Sequence, residues 1–187
     1  MATGRRELLL LGAAGAAAAA AGFLVGPMLL RGGGKTDTGE RNGAWDTAFA
    51  AAAFPDLAGQ LRPLRASQGK VVACNFWATW CAPCREEIPI LIEIDQKYRP
   101  KGVEVLGIAL DNGIKVREFA SSFRIAYPVL LAEAEGVELM RKLGNASGGL
   151  PFTVLVDRKG TVVHRKLGAI RKGDLDGLLE PLLKANG

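Results

Sequence analysis

The chain has 187 residues, 23% of them charged and 6% aromatic, with a formal net charge of +5; that suffices for one domain with a real core plus a tail. Residues 1–44 hold five Lys/Arg and three Asp/Glu, so only +3 remains for residues 45–187, scattered rather than striped, which excludes the clustered basic face of a nucleic-acid binder. Three cysteines and one histidine are too few for a typical four-ligand structural zinc site, and Arg85 stands where a c-type haem attachment needs histidine directly after Cys84.

Residues 1–31 read as an export signal or signal-anchor. Arg5 and Arg6 precede an uncharged run from Leu8 to Leu30, which as a helix would span about 34 Å, enough for a bilayer core. Small residues around Ala19-Ala20-Ala21 fit a cleavage site, whereas the apolar stretch continuing from Phe23 to Leu30 fits an uncleaved anchor; the length favours the anchor. Arg5-Arg6 loosely resembles a twin-arginine signal and equally fits an ordinary basic n-region. Positive charge lies on both sides of the span, at Arg5/Arg6 and Arg31/Lys35, and decides orientation weakly. Export places the folded domain outside the cytoplasmic membrane. Residues 32–53 are expected to form a linker: Gly32 to Gly43 cannot build a core and reaches an r.m.s. distance of roughly 20 Å. Trp45 to Ala53 is open between a short helix on the domain edge and a partly ordered segment.

The domain is expected over 54–187. Phe54 to Ala66, broken by Pro55, Gly59 and Pro63, suits an edge hairpin. Val71 to Phe76 is a near-continuous apolar strand, as in a sheet covered on both faces. A short aromatic turn leads to Cys81-Ala82-Pro83-Cys84, and a helix follows from about Ala82 to Tyr98, burying Ile88, Leu91 and Ile92 and kinked at Pro89. Val103 to Leu110 is a second buried strand. Val116, Phe119, Ala120 and Phe123 have helical spacing. Pro128 to Leu131 reads as a short strand and Val137 to Leu143 as a short helix. Gly148-Gly149-Leu150-Pro151 is a sharp turn, Phe152–Val156 and Thr161–Leu167 form a hairpin, and Asp174 caps a last helix striped with leucines. Strands alternating with helices, closed by a hairpin and a helix, make an α/β fold with a mixed sheet.

Chemistry concentrates at the cysteine pair. A thiol at a helix N-terminus meets unpaired N–H groups and the positive end of the macrodipole, so its thiolate is favoured; Pro83 suits the first turn. The spacing lets Cys81 attack a partner disulfide and Cys84 close back to release it, the pattern of a redox pair. No imidazole lies between the cysteines to hold a thiolate, which favours reducing behaviour. Cys74, next to Asn75, points to the opposite face and reads as a buried structural thiol. His164 reads as a surface residue. Two other functions compatible with thiols are a peroxiredoxin-like peroxidase, against which the C-x-x-C pattern argues, and a non-catalytic metal chaperone.

Asn75-Phe76-Trp77-Ala78-Thr79-Trp80-Cys81-Ala82-Pro83-Cys84, Glu87-Ile88-Pro89, the strand–helix unit at 103–123 and Gly149-Leu150-Pro151-Phe152-Thr153 resemble the thioredoxin superfamily over roughly residues 55–184, and more narrowly its membrane-anchored TlpA/ResA/CcmG-like branch. The resemblance implies a thioredoxin fold with an N-terminal edge hairpin and an inserted strand–helix unit. It implies a cis bond before Pro151, an exposed main chain at Leu150 that pairs with a partner's extended chain, and a docking surface bordered by Trp80. It also implies that Glu87, three residues after Cys84, moves protons for the resolving thiol in place of the acid that thioredoxin has where Asn75 stands; a solvated surface acid like Glu86 is the alternative. The implied activity is that of a protein thiol–disulfide oxidoreductase, tethered to the bacterial inner membrane by a single pass, with its domain on the periplasmic side. The Cys81–Cys84 dithiol would be its redox centre, with no further cofactor and no metal. Apocytochrome c or copper-site assembly factors would be its targets, and a DsbD/CcdA-like membrane carrier its electron donor.

Overall fold

The computed structural model describes residues 46–184; the expected span at 8–30 and most of the expected linker lie outside them. The described chain opens with a short helix, α1 (Thr47–Ala51), whose first N–H groups, at Ala48 and Phe49, are capped by the Asp46 carboxylate. Strands β1 (Ala53–Pro55) and β2 (Leu61–Pro63) pair antiparallel as a separate two-stranded sheet, the expected edge hairpin. Next come β3 (Val71–Trp77), α2 (Ala82–Tyr98), β4 (Val103–Ala109), α3 (Gly113–Ser122), β5 (Val129–Leu131) and α4 (Glu133–Lys142), then β6 (Phe152–Val156), β7 (Val162–Leu167) and α5 (Asp176–Lys184).

The main sheet has the order β5-β4-β3-β6-β7. β3 runs parallel to β4 and antiparallel to β6, so the sheet is mixed. Every residue of β3 and β4 is buried, as expected of strands covered on both faces. The period of two sends Val71, Ala73 and Trp77 to a core shared with Ile88, Leu91 and Tyr98 of α2, Val116 of α3, Leu179 of α5 and Leu175 just before it. Val72, Cys74 and Phe76 pack on the other face with Phe49 of α1 and Leu139 and Met140 of α4.

Four expectations need correction. Residues 46–53 belong to the domain and not to a linker: Phe49 is fully buried, and the Asp46 N–H donates to the Gly160 carbonyl at 2.7 Å. In α2, whose bounds are those expected, it is Ile94 that is buried, while Ile92 is half-buried. α4 begins at Glu133, four residues earlier than its apolar spacing indicated, with Glu133 and Glu135 at the positive end of the helix dipole. Gly136 is costly by propensity, yet a Cβ there would meet the side chains of Leu110 and Ala132. Asp174 does not cap the last helix, which starts at Asp176; its carboxylate instead accepts the Arg171 N–H at 3.0 Å and pairs with Lys166. No helix among the described residues is long and apolar enough to cross a membrane.

Because α1 closes one face of the sheet through a single aromatic side chain, Phe49→Ala should cost about 3–5 kcal/mol of stability, measured by urea unfolding. A loss below about 1 kcal/mol, the level of an ordinary surface change, would show that this helix is not part of the cooperative unit.

Candidate functional site

β3 ends at Trp77, and the chain then turns sharply to bring Cys81 to the N-cap of α2. The turn is held from outside: the Thr79 N–H and hydroxyl both donate to the Asp111 carboxylate, in the loop between β4 and α3. Partial burial works to raise the Asp111 pKa, but the bonds from Thr79 and Asn112 outweigh it and hold the carboxyl below its usual range. Trp80 projects from the turn 68% exposed and, with Ala82, Arg85, Glu86 and Phe123, lines a shallow pocket of about 360 Å³. A larger cavity of about 1030 Å³, between α1, β1 and α4, shares no residue with this turn.

Cys81 and Cys84 are joined as a disulfide, with an S–S length of 2.03 Å. The Cys84 N–H donates to Cys81 Sγ at 3.3 Å, so an orphan donor of the first helical turn points at that sulfur. Cys81 keeps 5% exposure whereas Cys84 has none. An incoming sulfur can therefore reach only Cys81, and Cys84 can act only from within.

On the facing strand the register Phe76↔Phe152 brings Pro151 beside the end of β3 from which the cysteine turn departs. The Leu150–Pro151 bond is cis. The Pro151 carbonyl accepts the Gly168 N–H at 2.8 Å, and Leu150 is half-buried, its main chain without a hydrogen-bond partner among the described residues. Asn145, 4% exposed, organises the loop before it: Nδ2 donates to the Gly149 carbonyl, and Oδ1 accepts from Ser147 and from the Gly148 N–H.

Beneath α2 lies a buried polar cluster. Glu87 is 1% exposed; Asn75 Nδ2 donates to its Oε1 at 2.7 Å and the Ile170 N–H to its Oε2 at 2.6 Å. The other Asn75 amide hydrogen goes to Thr153 Oγ1 at 3.0 Å. Gly107, the β4 partner of Asn75, makes room for aromatic neighbours: a Cβ there would lie 3.0 Å from Trp77 Nε1 and 3.2 Å from the Tyr127 ring. Burial first, and then the charges of Glu87 and Asp95, push the Tyr127 phenol up, so it stays neutral.

The expected site residues thus fall into three places. Cys81, Cys84 and Trp80 share the turn, Leu150 and Pro151 border it across the sheet, and Glu87 lies inside, one helical turn along from Cys84. Cys74 lies in the core of the opposite face as a free thiol, and burial raises its pKa. His164 is half-exposed on β7. Among the described residues no group of three or more His, Cys, Asp or Glu is placed to hold a metal. Sequence reasoning missed Asp111, Asn145, Thr153 and the Ile170 N–H. Of these only Asn145 carried a local signal, an Asn-x-Ser-Gly-Gly run typical of side-chain-stabilised turns.

A family profile described as Redoxin matches residues 46–180. The thiol-disulfide oxidoreductase ResA of Bacillus thuringiensis (strain Al Hakam) is 35% identical over 128 residues, 68% of this chain and 72% of that protein. ResA of Geobacillus kaustophilus is 33% identical over 128 residues, covering 68% and 71%. Among solved structures, a thiol:disulfide interchange protein of the thioredoxin family from Chlorobium tepidum superposes with a TM-score of 0.62 at 28% identity, covering 71% of this chain and 92% of that one.

Glu87 is the group whose charge the site controls. Burial, outweighing the bonds from Ile170 and Asn75 and the field of Lys166, pushes its pKa from 4.5 up to about 7. The folded protein therefore keeps a proton on Glu87 between those values that the unfolded chain releases, so this group's contribution to stability falls as pH rises through that window. The full loss is about 3 kcal/mol at 1.36 kcal/mol per unit. Glu87→Gln should remove that slope, and urea unfolding of the oxidised protein at pH 5 and pH 8 checks it; an unchanged slope would place the titrating group elsewhere.

Proposed function

Because this chain belongs to the redoxin family, as a ResA-like thiol–disulfide oxidoreductase with the thioredoxin fold, we propose that it works as an exported, membrane-tethered reductase of protein disulfides. The observation that carries the reading is the asymmetry of the pair: Cys81 at the helix N-cap, reachable and hydrogen-bonded through its sulfur, and Cys84 sealed behind it. In the reduced enzyme the Cys81 thiolate attacks one sulfur of a target disulfide. A bond forms between Cys81 and the target, and the target's other sulfur leaves as a thiolate and takes a proton. Cys84 then gives its proton to Glu87 and attacks Cys81 Sγ, and the second target sulfur leaves as a thiolate that takes the proton held by Glu87. Two electrons pass to the target, whose first thiolate is protonated from water and whose second is protonated from Glu87, and the enzyme is left as the Cys81–Cys84 disulfide with Glu87 ionised again.

A carboxylate with a pKa near 7 is matched to this proton transfer at neutral pH. The free main chain of Leu150 before cis-Pro151, with Trp80 on the other side of the turn, offers an extended target segment somewhere to pair. The apolar run at 8–30 supports a single-pass anchor in a bacterial inner membrane. The resemblance to the TlpA/ResA/CcmG-like branch supports apocytochrome c or copper-site assembly factors as targets and a DsbD/CcdA-like carrier as the source of electrons. The redox centre is the cysteine pair itself.

In cells, Cys84→Ser should trap mixed disulfides through Cys81, visible as reductant-sensitive adducts on gels, while Cys81→Ser should trap none. The reduction potential should lie near or below roughly −270 mV, as for thioredoxin. A value near DsbA's, roughly −120 mV, would reverse the assigned direction.

A further inference from the structure

Glu87 is reached from the protein surface by a line of side chains crossing the sheet. Gly107, Asn75, Thr153 and Lys166 are successive cross-strand partners on β4, β3, β6 and β7. Directly opposed residues share a face of the sheet, so Lys166 on the edge strand faces the same side as Asn75 and Thr153, the side where Glu87 lies. Its side chain is 31% exposed and its ammonium sits 2.9 Å from the Asp174 carboxylate. The same carboxylate accepts the Arg171 N–H, one residue beyond the Ile170 N–H that donates to Glu87. The loop that donates to the buried acid is therefore pinned at both ends, inside by Glu87 and at the surface by Lys166.

We propose that Lys166, anchored by Asp174, is a positioning residue for the resolving step: it holds the loop that donates to Glu87 and supplies a positive charge that favours the ionised carboxylate. The Asn75 amide, the Ile170 N–H, the Tyr127 phenol and Cys84, which reaches this step as a thiol, carry no net charge. Asp95, further along the same helix and acting with Glu87 on Tyr127, is of like charge and opposes ionisation. Lys166 is the charged side chain whose field lowers the proton affinity that burial raises. Without it Glu87 stays protonated to higher pH and a smaller fraction can take the Cys84 proton at neutrality, so the mixed disulfide resolves more slowly.

This proposal rests on the dithiol reading above, and its test separates the two. The reduced full-length protein is mixed with a fluorogenic peptide disulfide, and release of the second thiol is followed by stopped flow from pH 5 to pH 9. Lys166→Met and Lys166→Gln should move the midpoint of the resolving step upward by about half a unit or more, a roughly threefold change in proton affinity. Lys166→Arg should leave it in place. Infrared titration of the Glu87 carboxyl, assigned with Glu87→Gln, should show the same displacement independently of turnover. Midpoints that coincide with wild type, or an arginine variant displaced as far as methionine, would overturn the role of Lys166. An inactive wild-type protein would instead overturn the dithiol reading.

Discussion

The structure turns on one buried carboxylate. Glu87 ties together three separate parts of the chain: its own helix, the central strand through Asn75, and the loop after the last strand through the Ile170 N–H. A sealed charge of this kind is expensive unless hydrogen-bonded, and the two donors are what allow an acid to sit in the core at all. The helix that carries it is also the helix whose first turn carries both cysteines. The register of that helix on the sheet, and with it the place of Cys81 at the mouth of the turn, is thereby linked to a polar interaction three residues past the redox pair. Losing one donor is more damaging than the bond's net contribution implies, because the oxygen left behind cannot find water.

The parts of this arrangement that rest on local rules were legible in the sequence. The strand expected at 71–76 announced itself by its near-continuous apolar run, the helix from Ala82 by its spacing and by Pro83 near its start, and the last hairpin by the turn at Asp157–Gly160. Contacts between distant segments were not legible. Nothing near Thr79 indicates that Asp111, thirty-two residues on, holds the cysteine turn, and nothing near Glu87 indicates an N–H eighty-three residues later. Sequence reasoning left Glu87 open between a proton-moving group and a solvated surface acid; the packing of the loop at Ile170 seals it. The helix at Thr47–Ala51 was obscured for a different reason: it is short, alanine-rich and anchored by one phenylalanine, too little periodicity to separate from a tether. Gly136 hid the start of its helix because propensity counts it as a breaker, whereas tight packing of Leu110 and Ala132 demands a residue with no side chain.

The two faces of the sheet divide the work. The face under α2 carries the polar row and the redox turn, interrupted at Gly107 so that Trp77 and Tyr127 fit. The opposite face, with Cys74, Phe76 and Phe49, packs an apolar core, and its buried acid, Glu104 across from Val72, is paired with Arg62. The third cysteine is kept on that inert side. The β3 pleat puts a sheet's thickness between its thiol and the polar row, so the neighbour of Asn75 in sequence takes no part in its chemistry.

The difference in exposure between the two sulfurs has a consequence for traffic. Cys84 is closed off and Cys81 is not, so the oxidised pair can be opened only at Cys81, the same atom through which the reduced pair discharges. Electrons enter and leave by one door. On the proposed reading a donor and a target cannot both be engaged, and the two would meet overlapping features around Trp80 and the cis-proline loop in different redox states of the enzyme. Turnover then alternates between rival visitors, and the supply of either one in excess crowds out the other.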